Sequence, residues 1–480
     1  MNRRKSWLPT DITSGSALMV SMLSIATTAH AQHVALTPAS PARVTDDRIT
    51  GDGPTPLLTE RERLLLERVD QLERRLAEVE ARVGVTVSPD GTALEPAPAT
   101  ATATGSAREQ STERSEDGGV KIVPHAVLVG GAAYNTRALV PGSIGFYGVP
   151  RIPSLTTSQF SISAGNTLVG TDVIAPKIGD WNIGGKFYFN LRGPSPLTDD
   201  NVFAPFFANV YIEARKGHHR ILAGQATDLI SPLSPRSPNL YPGNYLPGDL
   251  GTARPQVRYD YSWLTGDKTA IVLQSALATA VQTFQISDEV LGFGTDVPDV
   301  QLRLGVGRGE VDPQTGKRPL ELGVSGHVGQ RRAVLITRLF ERDFPTWSGN
   351  LDLAVRLGRR TSVSGEFFVG SILGDYKGGI LHTFNPVLGV GVRAAGGWAQ
   401  LQHQLTSKLS VAGGYARDDP FNDDLSTGFR SKNDVVQGNV FYTISPRLQF
   451  GLEVGRWYTR WVGLPDGNVI RIEPAIIYVF

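Results

Sequence analysis

The chain has 480 residues, with 53 Gly, 31 Pro, 19 Phe, 13 Tyr, 7 Trp and no Cys. The absence of Cys excludes disulfide frameworks, thiolate zinc sites, iron–sulfur centres, cysteine nucleophiles and a lipid anchor on Cys. Forty-seven basic against 46 acidic side chains argue against a nucleic-acid partner, which calls for a basic excess.

Arg3, Arg4 and Lys5 precede a short apolar core between Ala17 and Ala26, and Ala29-His30-Ala31 supplies a small-x-small cleavage pattern before Gln32. Residues 1–31 therefore predict an export signal. Its apolar core is far shorter than the roughly 20 residues of a spanning helix. No later window holds 18 consecutive apolar residues. Residues 32–56 read as a disordered linker rich in Pro, Thr and Ala.

A helix is expected over 57–84. Thr59 and Glu62 make a capping box, and Gly84 is a plausible C-cap. Leu58, Leu65, Leu72 and Val79 recur every seven residues, and Val69, Leu76 and Val83 form a second series offset by four. These are the d and a positions of a coiled coil with Arg and Glu around it. Self-association through this stripe implies an oligomer; packing on the same chain is the alternative. Residues 85–119 read as a flexible tether.

From Val120 to Phe480 the dominant period is two. Ile183, Phe187, Phe189 and Leu191 alternate with Asn182, Lys186, Tyr188, Asn190 and Arg192, and Leu351, Leu353 and Val355 alternate with Asn350, Asp352 and Arg356. About sixteen strands are expected, over 120–134, 157–167, 180–192, 204–216, 218–227, 254–263, 269–280, 300–308, 319–330, 349–358, 360–372, 390–405, 408–417, 433–444, 447–458 and 468–480. Tight turns at Lys216-Gly217, Leu264 to Lys268, Gly358 to Arg360, Thr406 to Lys408 and Ser445 to Arg447 alternate with long connections at 135–156, 228–253, 281–299, 331–348, 373–389 and 418–432. Residues 165–179 fit the short class poorly. Short turns on one rim and long loops on the other predict an all-β fold: a transmembrane antiparallel β-barrel over 120–480, in a bacterial outer membrane, with the N-terminal coiled-coil helix in the periplasm. In the last strand Ile470, Ile472, Pro474, Ile476, Tyr478 and Phe480 share one face against Arg471 and Glu473. A terminal Phe with Tyr two residues earlier looks like the C-terminal strand signature of outer-membrane barrels, which implies the barrel-assembly machinery as a partner.

Val120-Lys121-Ile122-Val123-Pro124-His125, Leu222-Ala223-Gly224-Gln225, Arg254-Pro255-Gln256-Val257-Arg258-Tyr259, Gly397-Trp398-Ala399-Gln400-Leu401, Gly414 to Pro420 and Arg456-Trp457 carry a resemblance. The mature chain resembles the DcaP-like trimeric outer-membrane porins of the general porin superfamily. The resemblance implies a homotrimer in outer-membrane lipid that passes small hydrophilic solutes passively, with a leaning toward organic anions. One departure is Ala226-Thr227-Asp228, where that resemblance would place an aromatic residue after the Gly-Gln pair.

The loop 228–253, stiffened by five prolines, is the candidate constriction, with an ordinary exposed loop as the alternative. Asp228, Arg236, Asp249, Arg254, Arg258 and Asp260 are the constriction candidates, since they flank or belong to it. Strand parity turns Lys186, Arg192, Glu213, Arg215, Arg303, Asp352, Arg356, Glu366, Glu453, Arg471 and Glu473 toward the lumen. With Arg258 and Asp260 included, seven basic against six acidic groups predict weak charge selectivity. No HExxH, GxSxG or phosphate-binding loop is present, and His218-His219 would point to opposite faces of a strand. No enzyme, metal or cofactor is therefore expected. The rival reading is a structural outer-membrane protein whose coiled coil tethers the envelope and whose barrel is plugged.

Overall fold

The computed structural model describes residues 119–140, 145–153, 157–192, 203–238, 247–264, 268–280, 290–294, 296–312, 316–335 and 340–480. The expected export signal, linker, coiled coil and all but the last residue of the tether lie outside these. The described residues belong to one compact unit, Leu94–Phe480.

Sixteen antiparallel strands close into a barrel. They are β1 (Lys121–Asn135), β2 in two pieces (Gln159–Ser163 and Leu168–Ile178), β3 (Trp181–Arg192), β4 (Phe203–Lys216), β5 (His219–Thr227), β6 (Ala253–Leu264) and β7 (Thr269–Ala278). There follow β8 in two pieces (Val290–Gly294 and Asp299–Arg308), β9 (Leu320–Leu335), β10 (Phe340–Leu357), β11 (Thr361–Ser371), β12 (Arg393–Gln404), β13 (Leu409–Pro420), β14 (Arg430–Ser445), β15 (Leu448–Trp461) and β16 (Leu464–Val479). Each pairs with its neighbours in the chain, and β1 closes on β16 with Val127 opposite Val479 and Asn135 opposite Arg471. Closure removes the sheet edges, which matters in hydrocarbon because each unpaired backbone group there costs several kcal/mol.

The two faces of the wall are inverted relative to a water-soluble domain. On β8, Val300, Leu302, Leu304 and Val306 point outward, Leu302 at 53% exposure, while Asp299 and Gln301 point inward at 0%. β9 and β10 repeat this, with Leu322, Val324, Leu351 and Leu353 exposed outside and Ser325, His327, Asn350 and Asp352 buried inside. On β16, Ile470, Ile472 and Ile476 are exposed, as is the terminal Phe480, whereas Arg471 and Glu473 are buried. So large an apolar outer surface would drive aggregation in water; lipid tails solvate it.

The structure corrects several expected boundaries. Residues 165–179 are not a connection: Leu168–Ile178 is strand, paired to Lys121–Val127 on one side and β3 on the other. Its alternation is blurred by Gly170, whose missing side chain makes room for the Tyr188 ring; a Cβ there would lie 2.6 Å from the ring's Cγ. Where β2 is interrupted, the Thr167 hydroxyl accepts from the Val129 amide at 3.0 Å and replaces a ladder bond.

The expected loop 331–348 is mostly strand, with pairing continuing to Leu335 opposite Phe340. This hairpin packs inward on another loop, through Ala333 and Phe344 against Ile372 and Phe384. The expected loop 418–432 shrinks to 421–429. The last hairpin turns within Val462-Gly463, with Trp461 opposite Leu464.

Candidate functional site: a loop-lined lumen

Three connections from the long-loop rim fold into the barrel instead of away from it. Prolines limit the conformations of the β5–β6 loop, and polar groups inside the barrel hold it down. The Leu229 amide donates to Gln301 Oε1 on β8 at 2.8 Å, the Leu233 amide to Glu366 Oε1 on β11 at 2.8 Å, and the Arg236 amide to Gln400 Oε1 on β12 at 2.8 Å. Asn439 on β14 donates to the Arg236 carbonyl at 2.7 Å. Within its described parts, 228–238 and 247–252, the loop therefore crosses the inner face of at least four strands. This resolves the choice between an inserted loop and an exposed one for these residues.

The β11–β12 loop, residues 372–392, is seated beside it. Ile230 and Leu250 of the first loop share a buried cluster with Phe368, Leu373, Tyr376 and Ala394. The β1–β2 loop, 136–158, is held by β14 and β15: Trp457 Nε1 donates to the Gly145 carbonyl at 3.0 Å, and Asn433 to that of Phe146 at 2.6 Å.

A charged network joins two of the loops to the wall. Arg254 Nε lies 2.7 Å from Asp228 Oδ1, and its guanidinium stacks 3.7 Å over the Tyr376 ring. The Tyr376 hydroxyl donates to Asp299 Oδ2 at 2.7 Å. Arg331 bridges Asp299 at 2.6 Å and Asp375 at 2.5 Å. Burial pushes the Asp375 carboxyl above its ordinary range, although Arg331 and Arg254 pull it back, and burial likewise raises the Tyr376 phenol. Both groups belong to the loop, so the network is what seats it.

Of the six constriction candidates, Asp228, Asp249 and Arg254 are buried anchors. Asp249 lies against Glu366 across Ser231, whose hydroxyl is 2.5 Å from Glu366 Oε2 and 3.3 Å from Asp249 Oδ1. Burial first, and then the neighbouring Glu366 carboxylate, raise the Asp249 carboxyl well above its usual range. Arg236 stacks 4.1 Å over Phe441 and donates to Ser410 Oγ at 2.9 Å. Burial lowers its guanidinium to about 10, and among the described residues it has no ion pair.

Arg258 and Asp260 are on the wall, in a continuous chain. Arg215 pairs with Glu213 at 3.1 Å, Glu213 with Arg220 at 2.7 Å, Arg220 with Asp260 at 2.8 Å, and Asp260 with Arg258 at 2.7 Å. Lys186 lies 3.5 Å from Asp172, and Arg303 2.6 Å from Asp352, so both also face the lumen. Glu366, Glu453, Arg471 and Glu473 face inward too, but are buried or nearly so where the loops pack. Arg471 pairs with Glu473 at 2.8 Å, and Asn439 donates to Glu453 at 3.1 Å. Arg356 is at the tight-turn rim, 2.8 Å from Asp312. Arg192 ends β3, and its side chain lies outside the described residues.

Several residues of the site escape the sequence reading. Asp172 is hidden by the assignment of its strand to a connection. Arg220 shares the inward face of β5 with Leu222, opposite the exposed Ile221, and strand parity alone would have found it. Asp299, Arg331, Asp375 and Tyr376 meet across 32 to 77 positions of sequence, and no local pattern marks them.

This wall and its inserted loops define a closed sixteen-stranded transmembrane barrel of the porin type. The fold matches the crystal structure of the outer membrane channel DcaP of Acinetobacter baumannii at 16% identity and a TM-score of 0.61, over 76% of this chain and 98% of that one. An anion-selective porin from Comamonas acidovorans aligns at 11% identity and TM-score 0.48, over 75% of this chain and 100% of that one. OprB of Pseudomonas putida aligns at 11% and 0.45, over 76% and 95%. No protein-family profile matches the chain, and no curated protein does.

Proposed function

We propose that the protein is an outer-membrane porin through which small hydrophilic solutes diffuse passively, with a preference for anions. The observation that carries the preference is the asymmetry of the ion pairs on the wall from β2 to β10. In the lumenal pairs made there by Lys186, Arg215, Arg220, Arg258 and Arg303, no cation is less exposed than its carboxylate: Arg303 is at 14% against 3% for Asp352, and Lys186 at 36% against 7% for Asp172. Permeating ions therefore meet guanidinium and ammonium groups in front of shielded carboxylates. The simple count of charges gives near-neutrality, but a charge acts on a permeating ion according to how close it comes. Arg236 adds a cation on the inserted loop with no ion pair among the described residues.

The three inserted loops also favour a second reading, in which the lumen is closed and the barrel anchors an envelope tether. Conductance in a planar bilayer tests both. Open steps with a reversal potential displaced toward the anion equilibrium support the porin; a folded barrel that stays silent supports the tether. A homotrimer, the export signal, the periplasmic coiled coil and docking of the Phe480 strand on the barrel-assembly machinery belong to the same proposal.

A further inference from the structure

The outer face of β13 to β16 carries charge where the apolar band ends. Val454 on β15 and Ile472 and Ile470 on β16 are exposed, as is Val436 on β14. The next outward positions toward the long-loop rim are Arg456, Tyr458 and Arg460 on β15, Asp434 and Lys432 on β14, Asn468 and Asp466 on β16, and Arg417 and Asp419 on β13.

The carboxylates of this patch are already engaged. Asp434 accepts from Arg417 Nε and from the Tyr415 hydroxyl, both at 2.6 Å. Asp419 pairs with Lys432 at 2.9 Å, and Asp466 accepts from the Tyr458 hydroxyl at 2.5 Å. Arg456 and Arg460 are exposed and in no ion pair among the described residues. Arg456 donates one bond to Asn468 Oδ1 at 2.9 Å, and Arg460 stands 5.7 Å over the Tyr458 ring. Lys432 is directly opposite Arg460 across the strands. The Asp419 carboxylate already offsets Lys432, so the cations left open on this face are Arg456 and Arg460.

We propose that this face binds the phosphate groups of a phosphorylated glycolipid in the outer leaflet, with Arg456 and Arg460 as its contacts. Two guanidiniums about 13 Å apart along one strand leave several N–H donors free at the level of lipid headgroups. A guanidinium fork suits a phosphate. The aromatic rings Tyr415 and Tyr458 lie at the same level, where interfacial aromatics belong. A second copy of the chain fits less well, because the patch keeps a surplus of cations over carboxylates and would repel its own image. The inference rests on the outer-membrane reading of the barrel, and uses no lumenal residue.

The test uses the full chain in nanodiscs of neutral phospholipid doped with a bis-phosphorylated or a fully dephosphorylated lipid A. Wild-type protein is expected to retain the phosphorylated form and to lose about tenfold or more of that retention in the Arg456→Ala/Arg460→Ala double variant. The Arg456→Lys/Arg460→Lys variant should keep most of it. Equal retention of both lipids by the wild type overturns the proposal without recourse to any variant. So does a double variant that changes oligomeric state while glycolipid retention stays the same, which would make the face a protein contact. Conductance is recorded in parallel, so a silent barrel with normal glycolipid retention faults the porin reading alone.

Discussion

A methyl group at Gly323 would collide with both Asp352 and Arg303, whose ion pair occupies the space where its Cβ would stand. Gly323→Ala should therefore break or displace that pair and cost about 1–3 kcal/mol, seen as a lower temperature for the heat-modified shift on a denaturing gel. The opposite manoeuvre tests charge. Arg236→Gln removes a cation that balances no carboxylate among the described residues, so the reversal potential should move toward cations with little change in conductance. Arg258→Glu should move it further in the same direction, since Asp260 would then face a second carboxylate. An unchanged reversal potential in both would remove the anion preference. Arg254 acts differently: Arg254→Met would leave Asp228 buried beside no guanidinium. A loss of about 3–5 kcal/mol is expected, with the two loops that Arg254 joins, β5–β6 and β11–β12, becoming open to protease.

At the scale of elements, the loop 228–252 is seated through a titrating contact. The Asp249 carboxyl is raised by burial and by Glu366, with Lys377 of the neighbouring loop pulling it down. A carboxyl raised in the folded state favours seating when protonated. Seating is therefore strongest below the ordinary aspartate range, and weakens as pH climbs from there through the raised value. Protease access to the loop should increase over that interval in the wild type and stay flat in Asp249→Asn; a parallel pH profile in the variant would refute this. The other seated loop stores strain. Ile372, Lys377, Ile380 and Leu381 are the non-glycine residues at positive φ among those described, and all four belong to 372–392. Such backbone persists only where surroundings over-determine it; here the surroundings are the Arg331–Asp375 pair and the cluster around Tyr376.

For the whole molecule, the long-loop rim supplies the filling, and among the described residues the tight-turn rim supplies none. Shortening the β5–β6 loop between Pro232 and Pro238 should raise single-channel conductance and weaken selectivity together, because this stretch lies along the inner wall and carries Arg236. If the chain assembles as a trimer, steps should arrive in threes in a planar bilayer. Removing Phe480 should lower the yield of folded barrel in cells far more than its stability once folded, because the residue is exposed at the end of a strand already closed by pairing with β1.

The barrel was legible in the sequence because alternation is local. Leu302 against Gln301, or Ile470 against Arg471, needs only the period of a strand and the demand that lipid meet apolar groups. Strand number and inward parity follow from that rule. It failed at Gly170, where a missing side chain erased the alternation, and at 331–348, where packing on a distant loop prolonged a hairpin. The direction of the loops, the seating of Tyr376 on Arg254 and the meeting of Asp299, Arg331 and Asp375 depend on closure, which brings remote positions to one inner wall. Composition counted charges of both signs in near balance; only the folded barrel decided which of them stand in front.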